Sequence, residues 1–418
     1  SDDGIFLDKP TQLFLHRNLP RPDFKVADNA HFLEISTKYF KLTYTKEKPF
    51  AGTKVNPTIN LKVELLGTDR VWYYGHPEAR NFGVPALSLD EGGTNGRGLY
   101  SSEGMASIDD SHGMVWNENG TLGQRNTAEV DIYLFMYNSD YEEALLDYYA
   151  LTGYPALIPR YALGNWWSRN NAYDDLELKE LVDTFESKEI PMSVVLLDKD
   201  WHKRAYIGKK HLKSGFTFDD EKFKNPRAMI EYLHSKGIRL GLNINPTEGI
   251  YNYDRYYEEA LKYLQPDKDG VIPFNVYDPK FVDVYLKIFI HPLDILGIDF
   301  FWLDVDDKNK MLELSLLKHY QFNDMLRDYK RRPMILAEDT RMASHRYPVL
   351  YSGKTVVSWS TLKKIPFYNV SAFNNGTCFW AHDIGGYFKG TEDEELYVRF
   401  VQLGTFSPIL KFGVDKGK

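Results

Sequence analysis

The sequence predicts an α/β protein: a (β/α)8 TIM barrel over residues 153–418, preceded by a β-rich region over residues 1–152. Three observations predict it. From about residue 155, short apolar runs alternate with stretches of helical periodicity, the pattern of a parallel sheet wrapped by helices. Eight such units follow one another in a length that suits one barrel. Several of the runs end in carboxylates, amides or indoles, as strands do where a barrel presents its C-terminal face.

In the N-terminal region, Phe32-Leu-Glu-Ile-Ser-Thr, Phe40-Lys-Leu-Thr-Tyr-Thr and Asn60-Leu-Lys-Val-Glu-Leu alternate in character between Gly, Pro and Asn turns, which reads as a β-meander. The run Val130 to Tyr137 closes the region, and Asp140 to Leu151 reads as a linking helix. Glu91 to Gly98 is glycine-rich, but no strand-to-helix pattern surrounds it, so it reads as a turn and not a phosphate cradle. The barrel strands are expected at Ala162–Trp167, Ser193–Asp198, Leu240–Asn245, Phe300–Asp304, Met334–Glu338, Thr355–Ser358, Thr377–His382 and Pro408–Lys411. Between them, Leu176–Ser187, Pro226–Lys236 and Leu312–Tyr329 carry helical periodicity. The chain stops just after the eighth strand without a closing helix, which reads as a truncated, open barrel that a second chain or an oligomer would complete.

Hydrophobic residues make up 43% and charged residues 26%, values ordinary for a soluble globular protein. A formal charge of −8 with no long basic run argues against a nucleic-acid surface. No stretch of about 18 apolar residues exists, so no spanning helix and no membrane partner are expected. The opening Ser1-Asp-Asp-Gly lacks the charged and apolar regions of a signal peptide, and the compartment stays open. Cys378 is the only cysteine, which excludes an intrachain disulfide and a cysteine-based zinc site.

The segment Gly297-Ile-Asp-Phe-Phe-Trp-Leu-Asp-Val-Asp-Asp307 carries the most chemistry. A continuous apolar run, Phe300 to Leu303, reads as a strand covered on both faces, and it ends in Asp304, Asp306 and Asp307. An aspartate at such a strand end, beside Trp302, fits a nucleophile or an electrostatic stabiliser for an oxocarbenium-like centre. For Asp306 and Asp307 the default reading is capping of the helix that starts near Lys308. Other strand ends offer Trp166 and Trp167, Asp198 and Asp200, Asn243 and Asn245, Glu338 and Asp339, and His382 and Asp383.

These pieces fall into a familiar order. Tyr161-Ala-Leu-Gly-Asn-Trp-Trp-Ser-Arg169, Leu197-Asp-Lys-Asp-Trp-His202, Phe301-Trp-Leu-Asp304, Ser344-His-Arg-Tyr-Pro348, Ser352-Gly-Lys-Thr-Val-Val-Ser-Trp359, Phe379-Trp-Ala-His-Asp-Ile-Gly-Gly-Tyr387 and Phe406-Ser-Pro-Ile-Leu410 together resemble glycoside hydrolase family 31, which includes α-glucosidases and α-xylosidases. The resemblance implies an N-terminal β-sandwich of galactose-mutarotase type before the barrel, and a retaining mechanism that uses two carboxyl groups. It implies Asp304 as nucleophile, Asp198 and Asp383 as carboxylates that bind sugar hydroxyls, and Trp166, Trp302 and Trp380 as pocket aromatics. Asp200 and His382 flank these positions and join the candidate substrate-binding set. For Trp166 and Trp167 barrel packing competes with pocket lining, and for His382 a structural role competes with binding. A carbohydrate is the implied ligand, and no metal or organic cofactor is implied.

The chain departs from the family pattern at the machinery. Lys354, in Ser352-Gly-Lys-Thr, occupies the position of the usual acid/base aspartate. Glu338 stands where the family has an arginine, Gly413 where it has a histidine, and Lys199 where it has an apolar residue. A lysine among carboxylates is a poor proton donor, because their charge raises its pKa. Two readings follow: a rebuilt glycosidase in which Glu338 supplies the acid/base, or a carbohydrate-binding or regulatory pseudoenzyme in which Glu338 and Lys354 pair with each other.

Overall fold

The computed structural model describes residues 6–50, 60–75, 80–90, 94, 96–125, 129–204, 206–207, 210–212, 214–305 and 307–415. The chain divides into two compact units: residues 1–84, 94–154 and 374–376 form one, and residues 85–93, 155–373 and 377–418 form the other.

The first unit is antiparallel and β-sandwich-like. Lys25–Asp28, Phe32–Ser36, Phe40–Thr45, Leu61–Leu65 and Val71–Tyr73 pair in sequence order as one sheet, and Met105–Asp109 pairs with Ile132–Met136 in another. Alternation decides what each strand buries. Val63, Trp72 and Met105 meet inside, and Phe40, Leu42, Ile132, Leu134 and Met136 pack around them. The helix Tyr141–Thr152 starts at Asp140, whose carboxylate accepts from Glu143 N at 3.1 Å.

In the second unit eight parallel strands close into a barrel: Asn165–Arg169, Val194–Leu197, Arg239–Ile244, Phe300–Leu303, Ile335–Ala337, Leu350–Tyr351, Trp380–Asp383 and Ile409–Val414. The ring closes within the chain, because the last strand pairs with the first from Asn165↔Leu410 to Arg169↔Val414. This corrects the expectation of an open barrel needing a second chain or an oligomer to complete its sheet. The sixth strand is also corrected. It is Leu350–Tyr351, not Thr355–Ser358, whose β-branched residues imitate a strand. Beyond Gly353 the chain has turned out of the sheet: Val356 bridges Phe388, and its N–H donates to Asp90 at 2.6 Å. The helix Asp175–Ser187 begins in a capping box, with Asp174 accepting from Leu176 N and Glu177 N while Glu177 accepts from Asp174 N.

Alternation along the barrel strands sets the site. Val194 and Leu196, Phe300 and Trp302, Met334 and Leu336, Val349 and Tyr351, with Ala381 and Ile409, form one buried cluster inside the ring. Two residues further along, the same phase reaches Asp198, Asp304, Glu338, Gly353, Asp383 and Lys411.

Loops following the second and third barrel strands are stapled to each other. Ser214 Oγ donates to Gly249 O at 2.6 Å, and Asp254 Oδ1 accepts from Phe216 N at 2.8 Å and Thr217 Oγ1 at 3.3 Å. Asp254 is 4% exposed, and its Oδ2 has no hydrogen-bond partner among the described residues. Burial pushes its carboxyl up to about 7, although the Phe216 and Thr217 donors work in the opposite sense. From the unfolded value near 4 up to about 7, the native state binds the extra proton, so the contribution of this group to stability is greatest at low pH and falls as pH rises. Asp254→Asn keeps an acceptor oxygen but does not titrate. Relative to the wild type its stability is expected to improve by roughly 4 kcal/mol between pH 4 and pH 8, read from urea midpoints across that range. A gap that does not change with pH would mean that Asp254 is ionised throughout.

Candidate active site

Asp304 follows the fourth barrel strand, is 9% exposed and is surrounded by donors. Its Oδ1 accepts from Val305 N at 2.9 Å. Its Oδ2 lies 3.1 Å from Lys199 Nζ, 3.5 Å from Asn243 Nδ2 and 3.7 Å from Lys354 Nζ. Burial alone would raise the carboxyl, but the Lys354 and Lys199 ammonium groups and the Asn243 amide outweigh it and hold Asp304 well below the usual carboxylate range. Asp304 is therefore ionised at any working pH.

Lys354 connects Asp304 to the other predicted carboxylates. Its ammonium stands 5.3 Å from the Trp302 ring centre and 5.1 Å from that of Tyr387, within cation–π range of both. The Tyr387 hydroxyl in turn donates to Asp198 Oδ2 at 2.6 Å, and Asp198 Oδ1 accepts from Lys199 N at 2.8 Å. Burial and the Asp198 charge together hold the Tyr387 phenol far above its ordinary value, so it remains a donor. Lys411 Nζ lies 5.3 Å from the Trp302 ring centre and pairs with Asp383 Oδ1, while the Tyr351 hydroxyl donates to Asp383 Oδ2. Asp198, Asp304 and Asp383 thus converge around Trp302 and Tyr387.

Glu338, two residues beyond Leu336, lies against the turn that carries Lys354. A Cβ on Gly353 would stand 2.6 Å from Glu338 Oε1, and Gly353 has φ +77°, so glycine is required there on both counts. The neighbouring Asp339 turns the other way, to a fully buried pair with Lys318 at 3.1 Å and to Arg341 at 3.1 Å.

Three predicted substrate contacts point away from this cluster, and a fourth, Asp200, is paired with an arginine. Trp166 is completely buried among Ile158, Ala162 and Phe300, and its indole donates to Ala162 O at 2.8 Å. It fills the N-terminal end of the barrel, because its phase places it one layer too low to reach the mouth. Trp380 and His382 share the face of their strand opposite Asp383 and point at the helix Trp359–Phe373. Asn369 Oδ1 accepts from Trp380 Nε1 at 2.6 Å and from His382 Nε2 at 2.7 Å, and Ser352 Oγ lies 2.7 Å from His382 Nδ1. Burial pushes this histidine down to about 3, as expected for a neutral structural ring. Asp200 faces Arg204 at 3.3 Å in the turn after Asp198. Asp307 caps, as expected, accepting from Asn309 N at 3.0 Å, while Asp306 lies outside the described residues.

Sequence reasoning missed Tyr351, Tyr387 and Lys411. Lys411 had a readable signal, since a lysine inside an otherwise apolar strand must find a buried partner. Gly413 explains how it fits: a Cβ there would overlap Asp383 Oδ1 and stand 2.7 Å from Lys411 Nζ. The histidine of the family pattern cannot occupy this position beside the Lys411–Asp383 pair as it stands.

Comparisons with known proteins agree with the barrel fold. Residues 155–417 match the model of the glycosyl hydrolases family 31 TIM-barrel domain. The chain is 25% identical over 344 residues to an alpha-xylosidase of Saccharolobus solfataricus, spanning 72% of this chain and 45% of that protein. It is 26% identical over 329 residues to the neutral alpha-glucosidase AB of Homo sapiens, spanning 68% and 34%. It therefore spans less than half the length of these curated relatives. A family 31 dextranase of Flavobacterium johnsoniae, solved with glucose, superposes with a TM-score of 0.74 at 17% identity, covering 100% of this chain and 61% of that one. A family 31 alpha-xylosidase from a soil metagenome, solved with xylose, gives 0.67 at 17% identity, covering 99% and 72%. Those two likenesses speak for the fold, and the family match spans well over half of the sequence: the chain belongs to glycoside hydrolase family 31.

Proposed function

We propose that this chain carries the site of a retaining glycosidase acting on α-linked glycosides, with Asp304 as nucleophile and Glu338 as acid/base. The observation that carries it is the ionised Asp304 carboxylate at the end of the fourth barrel strand, with Asp198 and Asp383 around the same aromatic pair. In a retaining reaction the nucleophile must be anionic when the leaving group departs, and the lysines keep it so. Buried Trp302 Nε1 and Asn243 Oδ1 lack hydrogen-bond partners among the described residues, a donor and an acceptor that sugar hydroxyls can satisfy. The named activities of the relatives, on xylosides and glucosides, agree in anomeric class with this reading.

Glu338 supports the acid/base assignment by its place, next in the ring after Asp304 and against Gly353. Glu338→Gln is expected to slow hydrolysis of unactivated α-disaccharides by roughly 10²–10⁴-fold, with a far smaller loss on aryl glycosides whose leaving group needs no proton. Equal losses on both substrates would remove Glu338 from that role.

A second reading, binding without turnover, draws on Lys354. Its ammonium lies 3.7 Å from Asp304 Oδ2, and its position in the sequence is the one where the resemblance puts the acid/base aspartate. Incubation with a panel of aryl α-glycosides, followed by calorimetric titration of the parent sugars, separates the two. Turnover supports the enzyme, and saturable heat without product supports the binder.

A further inference from the structure

Asp304 holds more donors than a free nucleophile does. Val305 N engages one oxygen, and Lys199, Asn243 and Lys354 approach the other. Three of its roughly four acceptor sites are taken by Val305 N, Lys199 and Asn243, and the Lys354 ammonium lies beside Oδ2 without a hydrogen bond. To meet an anomeric carbon at Oδ2, the carboxylate needs that oxygen clear of the Lys354 ammonium.

Lys354 is the one that can leave. At 3.7 Å it stands beyond ordinary hydrogen-bond length, whereas Lys199 is at 3.1 Å with a side chain only 13% exposed. The Lys354 side chain is 31% exposed and rests over Trp302 and Tyr387, so it can swing without emptying a packed core. Drawing an ammonium away from a carboxylate in a partly buried site costs free energy. A neutral sugar offers only hydroxyl dipoles in return. A carboxylate on the sugar offers a replacement counter-ion, and the charge-assisted bond it forms is roughly twice as strong as a neutral one.

We propose, resting on the glycosidase reading above, that the site selects a glycone carrying a carboxylate, an α-linked uronosyl unit. Lys354 binds that carboxylate, and in doing so uncovers Asp304. The ligand's charge therefore both selects it and unlocks the nucleophile. Trp302 and Tyr387 flank the ammonium and keep it from moving into bulk water.

The test is calorimetric titration of the full chain with methyl α-D-glucuronide and methyl α-D-galacturonide, each beside its methyl ester and its neutral parent glycoside. At least one uronide is expected to bind tenfold or more tighter than its ester, with the preference shrinking as salt rises. Lys354→Gln should reduce the preference to about twofold or less, and Lys354→Arg should keep most of it. Neither acid binding more tightly than its ester, or a preference that survives Lys354→Gln, would overturn the proposal. Turnover of neutral aryl α-glycosides distinguishes the two levels. If it persists with no acid preference, the glycosidase reading stands and this one falls.

Discussion

Asp304→Asn is expected to lower turnover of an aryl α-glycoside by roughly 10⁴-fold or more, because an amide cannot form the covalent glycosyl-enzyme. The change is nearly isosteric, and a urea midpoint measured beside the rate separates loss of chemistry from loss of fold. Asp304 is a buried anion facing two ammonium groups, and its removal leaves Lys199 and Lys354 sharing a neutral partner. Sugar binding should survive in the variant, which calorimetry can check beside the rate. Unchanged turnover would remove Asp304 from the mechanism, and with it the assignment of the site.

The second large effect is on stability. Lys411→Met should destabilise the protein by roughly 3–5 kcal/mol, because it strands Asp383 as a buried charge that keeps, among the described side chains, the Tyr351 hydroxyl as its donor. Both members of the pair have fully buried side chains, so water cannot take the lysine's place. Adding Asp383→Asn to Lys411→Met should recover much of the loss, since a buried ion pair replaced as a unit is often close to neutral. The urea midpoint of the two variants, followed by tryptophan fluorescence, reads this directly. If the double variant is no more stable than the single one, the cost lies in packing around Trp302 and not in the stranded charge.

The parts of the site that could be read in advance share one property: each is a carboxylate at, or one residue past, the end of a fully buried strand. Asp198 after Val194–Leu197, Asp304 after Phe300–Leu303 and Asp383 at the end of Trp380–Asp383 all announce themselves this way. Trp166, Trp380 and His382 lie in equally informative motifs yet do not reach the pocket. A one-residue difference in phase sends a side chain to the other face of a strand, and a two-residue difference sends it to another layer. Motif membership cannot supply either quantity, because both depend on register with the neighbouring strands. The misplaced sixth strand has the same origin: Thr355-Val-Val-Ser has the better β character, but Leu350–Tyr351 has the partners.

The sequence by itself determined the family, the barrel, the nucleophile candidate and the positions where the chain departs from the resemblance, since all of these follow from local pattern and order. Only the tertiary structure decided what the residues at those positions touch. It put Lys354 on Asp304 and Lys411 on Asp383, while Gly413 left the room that the second pair needs. These contacts join residues 50 and 28 positions apart in the chain. Strand closure brings them together, and burial makes their charges count.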